Sequence, residues 1–316
     1  MLISNDKFRS WIPHGFNFLS LKETEAITRL SDSLRINLKK KGFGEIIPPT
    51  FDFYQTFQLT TRQAQNPLFE IRDASGEVLA VRSDLTVQVI KAVASGRLGK
   101  NLPLNLFYIQ PVFQDRPWGA GSRREVLQAG VEMVGDKTSD RFLKLLSLAR
   151  EQLTLNNLTP KFLYGDMRFL DALFENIPEN LRSKLSEAFH LKDTTLIRNL
   201  ARDAGLSSEL TGILVEVPLI FGDGAALDEL ETLCKKNDKL LYCIREARNI
   251  SDVVYDFSLV RELSYYTGPV FEGYIPASKE AVITGGVYDS LHEQFSGEKE
   301  TACGFAVNLS IISEHI

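Results

Sequence analysis

Two polar side chains, an amide and a carboxylate, share one face of a predicted strand. The segment Glu125–Val134 (EVLQAGVEMV) is largely apolar and has the length of a strand. Gln128 and Glu132 alternate there with Leu127 and Val131, and residues an even number apart on a strand point to the same side. This face therefore combines a carboxylate, which accepts hydrogen bonds, with an amide, which both donates and accepts them.

Other polar candidates have ordinary structural interpretations when each is considered alone. Asp84 begins a helical run and could be its N-cap, because a short carboxylate accepts backbone N–H groups of the first turn. Tyr265 and Tyr266 could be adjacent strand residues, one buried and one exposed, since aromatic residues favour strands. Arg261 alone would be a solvated charge or an ion pair.

Cysteine and histidine give no sign of a metal site. An odd number of cysteines without C-x-x-C spacing suits a reducing compartment, where thiols stay free. Free cysteine is among the most buried residue types, so we expect small core residues. No histidine pair has H-x-x-x-H spacing, and we expect neither a metal nor a cofactor. The residues concerned are Cys234, Cys243, Cys303, His14, His190, His292 and His315.

The composition, with 44% apolar and 24% charged residues among 316, is that of a globular protein. No segment approaches the roughly 20 apolar residues of a membrane span. The N-terminus lacks the basic and then apolar pattern of a signal peptide, so we predict a cytoplasmic protein without membrane contacts. A net charge of −5 argues against nucleic-acid binding, which depends on excess Lys and Arg.

The amino-terminal part of the chain is predicted to form a helix followed by a strand. Apolar residues recur at helical spacing over Leu21–Lys41. Ser20 can cap this helix, with Glu23 three residues later completing a capping box, and Gly42 can end it. The segment Gly42–Phe51 (GFGEIIPPTF) then reads as a short apolar strand that its two prolines stop.

The middle of the chain is predicted to alternate strands and helices. Ala74–Gly76 has the composition of a hairpin turn between two short strands. A polar, Gly-rich loop, 114–124, separates two longer strands, and we expect Arg123 and Arg124 within it to be solvated. The predicted strands are Leu68–Arg72, Val78–Arg82, Asn105–Phe113 and Glu125–Val134, and the predicted helices are Ser83–Ala94 and Ser139–Leu155.

The carboxy-terminal half combines a helical segment with returning strands. Residues 167–250 are helix-rich with short loops, so we predict a helical insertion there. Strand patterns return at Val253–Val260, Pro269–Ile275 and Ala281–Thr284, and Gly304–Ile312 starts as a strand and continues as an apolar tail. Strands on both sides of a helical insert predict an α+β fold with a mixed, mostly antiparallel sheet flanked by helices.

Three segments together resemble the catalytic core of class II histidyl-tRNA synthetases. They are Leu79–Val93 (LAVRSDLTVQVIKAV), Phe107–Gly135 (FYIQPVFQDRPWGAGSRREVLQAGVEMVG) and Leu259–Tyr274 (LVRELSYYTGPVFEGY). The second resembles the strand–loop–strand motif that holds ATP, and the third, with Gly285–Asp289 (GGVYD) after it, resembles the histidine-specific signature. Gly42–Phe51 resembles the dimer-interface motif of class II synthetases. The resemblance runs from about Phe16 to the C-terminus and implies one core domain over residues 1–316.

This resemblance implies a pocket for histidine. Asp84 matches the carboxylate that binds the substrate ammonium, and Arg261 matches the signature arginine on the carboxylate side of the site. An acidic group such as Glu132 would stabilise the N–H donor of an imidazole. The two tyrosines would supply hydroxyls and a ring wall. The residues implied to bind histidine are Asp84, Thr86, Gln128, Glu132, Arg261, Tyr265 and Tyr266.

Several positions depart from the synthetase pattern where that pattern holds ATP. Gln114 stands in place of the arginine that binds the α-phosphate, and glutamine cannot supply a charge-assisted fork. Val287 replaces the arginine of the G-G-R-Y-D element, and Ile311 replaces the arginine that clamps ATP in the last motif. In that motif Asn308 and Ser310 also replace glycine and glutamate. Because adenylyl transfer depends on such charges, we predict a chain without catalytic residues.

A synthetase would also carry roughly one hundred further residues as an anticodon-binding domain, whereas this sequence ends at Ile316. A core without ATP clamps and without that domain resembles the regulatory subunit of the short-form ATP phosphoribosyltransferase, which opens histidine biosynthesis. The R-x-D-x-T and Q-A-G-V-E patterns of that family stand here at Arg82–Thr86 and Gln128–Glu132. Within the histidine signature, Ser264 stands where the synthetases have aspartate.

The resemblance therefore implies a non-catalytic regulatory subunit, needed for the activity of a catalytic subunit and for feedback inhibition by histidine. It implies the short-form ATP phosphoribosyltransferase catalytic subunit as partner, L-histidine as ligand, and a homodimer within a hetero-oligomer. Two alternatives stay open: an ATP-dependent ligase that activates histidine without tRNA, and a tRNA-binding module. The lost phosphate-binding charges disfavour the first, and the acidic net charge disfavours the second.

Overall fold

The computed structural model describes residues 12–58, 68–99, 101–115, 123–260, 265–276 and 278–316. The chain divides into two units. The first comprises Met1–Asp136, Leu291–Glu300 and Gly304–Ile316, and the second comprises Lys137–Ser290 and Thr301–Cys303. None of the described helices is both long enough and apolar enough to span a bilayer.

Helices and strands follow one another along both units. The described helices of the first unit are α1 (Leu21–Lys40), α2 (Tyr54–Gln58), α3 (Thr86–Ala94), α11 (Glu293–Ser296) and α12 (Leu309–Ser313). Those of the second unit are α4 (Arg141–Thr154), α5 (Met167–Leu173), α6 (Glu179–His190), α7 (Thr194–Asp203), α8 (Ser208–Glu216), a 3₁₀ helix (Val217–Leu219), α9 (Gly224–Leu233) and α10 (Asp238–Ala247). The strands are β1 (Gly44–Glu45), β2 (Phe51–Phe53), β3 (Glu70–Arg72), β4 (Val78–Val81), β5 (Leu104–Phe113), β6 (Glu125–Val134), β7 (Lys161–Asp166), β8 (Phe221–Gly222), β9 (Val254–Asp256), β10 (Pro269–Tyr274), β11 (Ile283–Val287) and β12 (Ala302–Asn308).

The main strands of the first unit lie in the order β1-β5-β6-β12. β1 runs parallel to β5, while β5 and β6 form an antiparallel ladder whose pairs extend from Leu104↔Val134 to Phe113↔Glu125. A smaller antiparallel sheet in the same unit has the order β2-β4-β3. The turn between β3 and β4 is the predicted hairpin turn, where the Asp73 carboxylate accepts the backbone N–H groups of Ser75 and Glu77.

Helix α1 begins with the predicted capping box. The Ser20 hydroxyl accepts the backbone N–H of Glu23 at 3.2 Å, and the Glu23 carboxylate accepts the backbone N–H of Ser20 at 2.8 Å. Two otherwise unpaired N–H groups of the helix start are satisfied in this way. The apolar side of the helix, which includes Leu30, Leu34 and Leu38, is buried, so the helical spacing of the sequence marks its packed face.

The sheet of the second unit has the order β11-β10-β7-β9-β8. β10 is antiparallel to both β11 and β7, β7 and β9 are parallel, and β8 is antiparallel to β9. Aromatic rings fill the core: Tyr164 contacts Phe142 and Phe257 edge-on, with ring centroids 5.8 and 6.0 Å apart. Strands of both directions with flanking helices confirm the predicted α+β class.

Residues 167–250, predicted as a helical insertion, contain helices α5 to α10 of the second unit. Side chains satisfy the first turns of several of these helices. Asp193 accepts the backbone N–H of Leu196, and Ser207 accepts that of Leu210. The segment also contributes β8, which pairs with β9, so it adds one short strand as well as helices.

Two sequence predictions of extended structure are wrong in part. Within Gly42–Phe51, only Gly44–Glu45 forms a strand and Phe51 begins another, because Pro48 and Pro49 between them have no backbone N–H for a ladder. The end of the chain is a strand only through Asn308 and then turns into helix α12. Its apolar residues had no periodicity that separates a short strand from a short helix.

Candidate functional site

The paired strands β5 and β6 place four polar or aromatic side chains on one face. Gln110 lies opposite Gln128, and Tyr108 lies opposite Gly130. Directly opposed residues of an antiparallel pair share a face, and so do residues an even number apart on one strand. Tyr108, Gln110, Gln128 and Glu132 therefore point to the same side of the first unit. The alternation of the sequence predicts this for Gln128 and Glu132.

Glu132 is a fully buried carboxyl group, with an exposed fraction of 0%. The Thr86 hydroxyl donates to its Oε1 at 2.7 Å, and the Tyr108 hydroxyl is hydrogen-bonded to it as well. Burial raises the pKa of Glu132 well above its ordinary value, and the neighbouring charge of Asp84 raises it further against the effect of the two hydroxyls. The site therefore contains a carboxyl group that ionises only with difficulty unless a donor or a cation approaches it.

Asp84 is half-buried just before α3 and has a structural contact of its own. Its Oδ1 accepts the backbone N–H of Val87 at 3.2 Å, so it satisfies a donor in the first turn of the helix. The same helix start carries Thr86, which is buried and reaches Glu132. The N-cap interpretation of Asp84 is thus compatible with a second role for its carboxylate, since a carboxylate can accept more than one hydrogen bond.

Arg82 is a buried cation that fixes the loops around this face. Its guanidinium donates to the backbone carbonyl oxygens of Pro48 and Pro111 at 2.8 and 2.6 Å, and to Oε1 of Gln110 at 3.1 Å. It is only 3% exposed, so these acceptors replace its hydration. Sequence reasoning noted Arg82 only as part of a pattern, because the carbonyl groups that it binds leave no signal in a sequence.

The tyrosines of the histidine-like signature lie in the second unit and are both buried. Tyr265 and Tyr266 contact each other with ring centroids 4.9 Å apart, and Tyr265 contacts Tyr288 at 5.4 Å. They precede β10 and are not strand residues, so the alternative of one buried and one exposed strand tyrosine is wrong. Sequence reasoning missed Tyr288. A Cβ at Gly286 would lie 2.7 Å from the backbone oxygen of Pro269 and 3.0 Å from the Tyr266 ring, which explains a glycine there.

Two positions of the predicted signature lie outside the described residues. They are Arg261, predicted to face a ligand carboxylate, and Ser264, which departs from the synthetase aspartate. The four predicted ligand residues of the first unit, Asp84, Thr86, Gln128 and Glu132, are described. Of these, Asp84, Thr86 and Glu132 interact directly.

The positions that depart from the ATP motifs have structural roles in the first unit. The Asn308 side chain accepts the backbone N–H of Ile311 at 3.0 Å and thereby caps α12. The Ser310 hydroxyl accepts the backbone N–H of Leu127 at 3.0 Å and joins this helix to β6. Gln114 continues the ladder beyond β5, its backbone N–H donating to the carbonyl of Arg124 at 2.8 Å.

Val287, the departure in the second unit, is a buried residue of β11. Its side chain lies against Gly268, where an added Cβ would approach Val287 to 3.1 Å. An arginine could not fit this apolar contact without moving its neighbours, because protein interiors are close-packed.

Arg123 and Arg124, which were expected to be solvated, are engaged within the first unit. Arg123 forms a salt bridge with Glu314, and Arg124 forms one with Asp115. The guanidinium of Arg124 also lies over the ring of Phe69, 4.7 Å from its centroid. The expectation was wrong because Glu314 and Phe69 come from segments distant in sequence.

Cysteine and acidic side chains form no obvious metal site in the part of the chain that the structure describes. No group of three or more His, Cys, Asp or Glu side chains there could hold a metal ion. All three cysteines are free and buried, as predicted. Burial raises the pKa of the Cys234 and Cys243 thiols to about 12, so both stay neutral.

Comparison with known proteins identifies relatives along almost the whole sequence. A family model for histidyl-tRNA synthetase matches residues 15–312. The ATP phosphoribosyltransferase regulatory subunit of Leptospira interrogans is 31% identical, over 98% of this chain and 94% of that protein. The subunit of the same name from Carboxydothermus hydrogenoformans is 32% identical, over 92% of each chain.

A solved structure shares the fold as well as the sequence similarity. The crystal structure of an ATP phosphoribosyltransferase regulatory subunit/histidyl-tRNA synthetase from Bacillus halodurans superposes with a TM-score of 0.84 and 25% identity, covering 96% of this chain and 82% of that one. The predicted class II synthetase-like core is thereby confirmed. Sequence and fold together show that the chain belongs to the family of ATP phosphoribosyltransferase regulatory subunits, built on a histidyl-tRNA synthetase-like core.

Proposed function

We propose that this chain is the non-catalytic regulatory subunit of a short-form ATP phosphoribosyltransferase, which acts at the first step of histidine biosynthesis. Membership of the regulatory-subunit family supports the assignment. Its non-catalytic character is supported by the contacts of the side chains that stand at the ATP-binding positions of the synthetase pattern. Asn308 caps a helix, Ser310 joins that helix to a strand, and neither they nor Ile311 can offer a cation to a phosphate.

L-histidine is the proposed ligand of the polar face of the first unit. Its ammonium group would pair with Asp84, and its imidazole would lie at Glu132, with Gln128 on the same face. Charged groups leave water at little cost only when each meets an opposite charge or a hydrogen-bond partner, and this face offers both. The predicted set also includes Tyr265 and Tyr266, which belong to the second unit, and Arg261, which lies outside the described residues.

Self-association of the chain is supported by an apolar face of the small sheet β2-β4-β3. Phe53, Leu79 and Ile71 lie in one cross-strand row, and Phe51 lies next to Phe53 on the same side. Phe53 and Ile71 are 51% and 47% exposed. Contiguous exposed apolar residues mark interaction surfaces. We therefore propose a homodimer within the hetero-oligomer formed with the catalytic subunit.

The function is tested by mixing the purified chain with a short-form ATP phosphoribosyltransferase catalytic subunit. Co-purification, a higher rate of phosphoribosyl transfer than the catalytic subunit gives alone, and inhibition by added L-histidine are expected. A catalytic subunit whose rate and histidine response stay unchanged on addition of this chain would contradict the proposal.

Histidine sensing is tested separately with Glu132→Gln and Asp84→Asn. Each should weaken histidine binding at least about tenfold, since a buried charge that loses its charged partner costs roughly 2–5 kcal/mol and ~1.4 kcal/mol is a factor of ten. In the assembled enzyme both should reduce inhibition and leave the uninhibited rate largely unchanged. Glu125→Gln, an exposed residue of the same strand, is the matched control. Normal histidine affinity in Glu132→Gln would show that histidine is sensed elsewhere.

A further inference from the structure

Tyr108 crosses from β5 over the neighbouring strand at a position without a side chain. Its partner in the ladder is Gly130. A Cβ built on Gly130 would lie 2.1 Å from Cζ and 2.2 Å from the hydroxyl oxygen of Tyr108. The phenol end of the ring therefore occupies the space that any other side chain at position 130 would fill. Only glycine lets the ring lie flat across the strand.

This position brings the Tyr108 hydroxyl to Glu132, the diagonal neighbour across the ladder. Diagonal residues of an antiparallel pair are about 7–8 Å apart at their Cα atoms, which an aromatic side chain can span. The ring is 1% exposed and therefore held by packing on all sides. Two hydroxyl groups on different elements are thus hydrogen-bonded to Glu132: that of Tyr108 on the sheet and that of Thr86 at the start of α3.

We propose that Tyr108 is a positioning residue for histidine recognition, holding the Glu132 carboxyl group in one orientation together with Thr86, and that Gly130 is what permits it. The inference rests on the proposed function, because it takes the ligand of Glu132 to be histidine. Two donors from different elements fix the orientation of the carboxyl group that an imidazole N–H would meet. A preorganised acceptor does not have to lose side-chain freedom on binding.

The groups around Glu132 indicate how loss of the Tyr108 hydroxyl changes the ionisation of its carboxyl group. Asp84, ahead of α3, disfavours ionisation of Glu132, whereas the hydroxyl groups of Thr86 and Tyr108 favour it. The neighbouring segments 304–308 of β12 and 309–313 of α12 carry no acidic or basic side chain. Removing the Tyr108 hydroxyl leaves the opposing influences of burial and Asp84 in place and should favour the protonated carboxyl group.

The test is Tyr108→Phe in the full chain, which keeps the ring and removes only the hydroxyl. The titration of Glu132 is followed by NMR of ¹³C-labelled glutamate without ligand, with its signal assigned by Glu132→Gln. Its midpoint should move upward by at least about one pH unit, because the carboxylate loses a hydrogen bond that favours its charged form. L-histidine affinity at pH 7, measured by calorimetry, should fall about tenfold. Gly130→Ala should reproduce both changes.

A conservative variant serves as the control: Tyr242→Phe, at an exposed tyrosine of the second unit. It should move neither the Glu132 titration nor the histidine affinity. An unchanged Glu132 titration in Tyr108→Phe would overturn the inference, and so would a shifted titration with unchanged histidine affinity. If Tyr108→Phe shifts the Glu132 titration but the wild-type chain binds no histidine, the Tyr108–Glu132 contact is supported and histidine is overturned as the ligand.

Discussion

At the scale of single residues, Glu132 couples the stability of the chain to pH. Its pKa in the folded chain is raised, chiefly by burial and then by Asp84, above a value near 4.5 in the unfolded chain. Below the unfolded value both states hold the proton, and the group costs no stability. As the pH rises above it, the unfolded chain releases the proton while the folded chain retains it or ionises at a cost. Stability is therefore lost as the pH rises toward the folded pKa.

Glu132→Gln should remove this loss, because an amide of the same shape cannot ionise. We expect the variant to unfold at higher denaturant concentration than the wild type at pH 8, with the difference becoming smaller as the pH falls toward 4.5. Urea unfolding at several pH values measures it, with Glu125→Gln as the control on the same strand. A Glu132→Gln variant that is destabilised equally at every pH would show that its hydrogen bonds outweigh its burial.

The residues of the candidate site were predictable only as far as local rules reach. Strand parity places Gln128 and Glu132 on one face without knowledge of the rest of the fold. Tyr108 could not be found in this way, because its contact with Glu132 depends on the register between two strands. The same limit explains Arg123, whose partner Glu314 lies 191 residues away in sequence.

At the scale of elements, helix α12 depends on two side-chain contacts, one from Asn308 and one from Ser310. The helix has five residues, too few to be stable by itself, so it depends on its cap and its contacts. Asn308 supplies the cap, and Ser310 binds the backbone of β6. A glycine and a glutamate at these positions, as in the synthetase pattern, would supply neither contact in this form.

Asn308→Ala should destabilise the chain by about 0.5–2 kcal/mol, the usual cost of losing an N-cap side chain. Asn308→Asp keeps an acceptor at the same distance from the helix start and should retain most of that stability. Chemical denaturation of the three proteins measures the difference. Equal stability of the alanine variant and the wild type would show that packing alone holds α12.

Element types were predicted better than element ends. The long strands and the capped helix α1 stand where periodicity and capping residues predict them, because these signals are local. Helix α3 begins at Thr86, three residues later than predicted, since the carboxylate of Asp84 caps it from outside. The apolar end of the chain gave no such signal, and its helix depends on contacts with α1 and β6 that only the tertiary structure provides.

At the scale of the whole molecule, we expect no adenylation activity, either in the chain as it is or after one arginine of the ATP motifs is restored. The pure chain should give no histidine-dependent ATP–pyrophosphate exchange. Restoring one arginine with Ile311→Arg should not create it, because Gln114 and Val287 leave the other phosphate-binding positions without charge. A histidyl-tRNA synthetase assayed in parallel provides the positive control. Exchange by the wild-type chain would instead favour the histidine-activating ligase.

The proposed homodimer depends on the face of the small sheet that bears Phe51, Phe53 and Ile71. The opposite face of this sheet packs through Ala80 on Phe57 and also carries Asp52 and Glu70, whereas the face of the two phenylalanines is apolar and remains exposed. A stable interface buries about 1,200–2,000 Å² in total, more than three short strands supply. The adjoining segment, Gly42–Phe51, would have to contribute as well.

Phe53→Asp should convert the dimer to a monomer, because a two-fold interface uses the same patch twice and one substitution adds two buried charges. Light scattering coupled to gel filtration at micromolar concentration measures the mass. Phe221→Asp, at an aromatic residue of the second unit with 59% exposure, is the matched control and should leave the dimer intact. If the wild type is a dimer that Phe53→Asp does not dissociate, the subunits associate through another surface, and a monomeric wild type would contradict the homodimer itself.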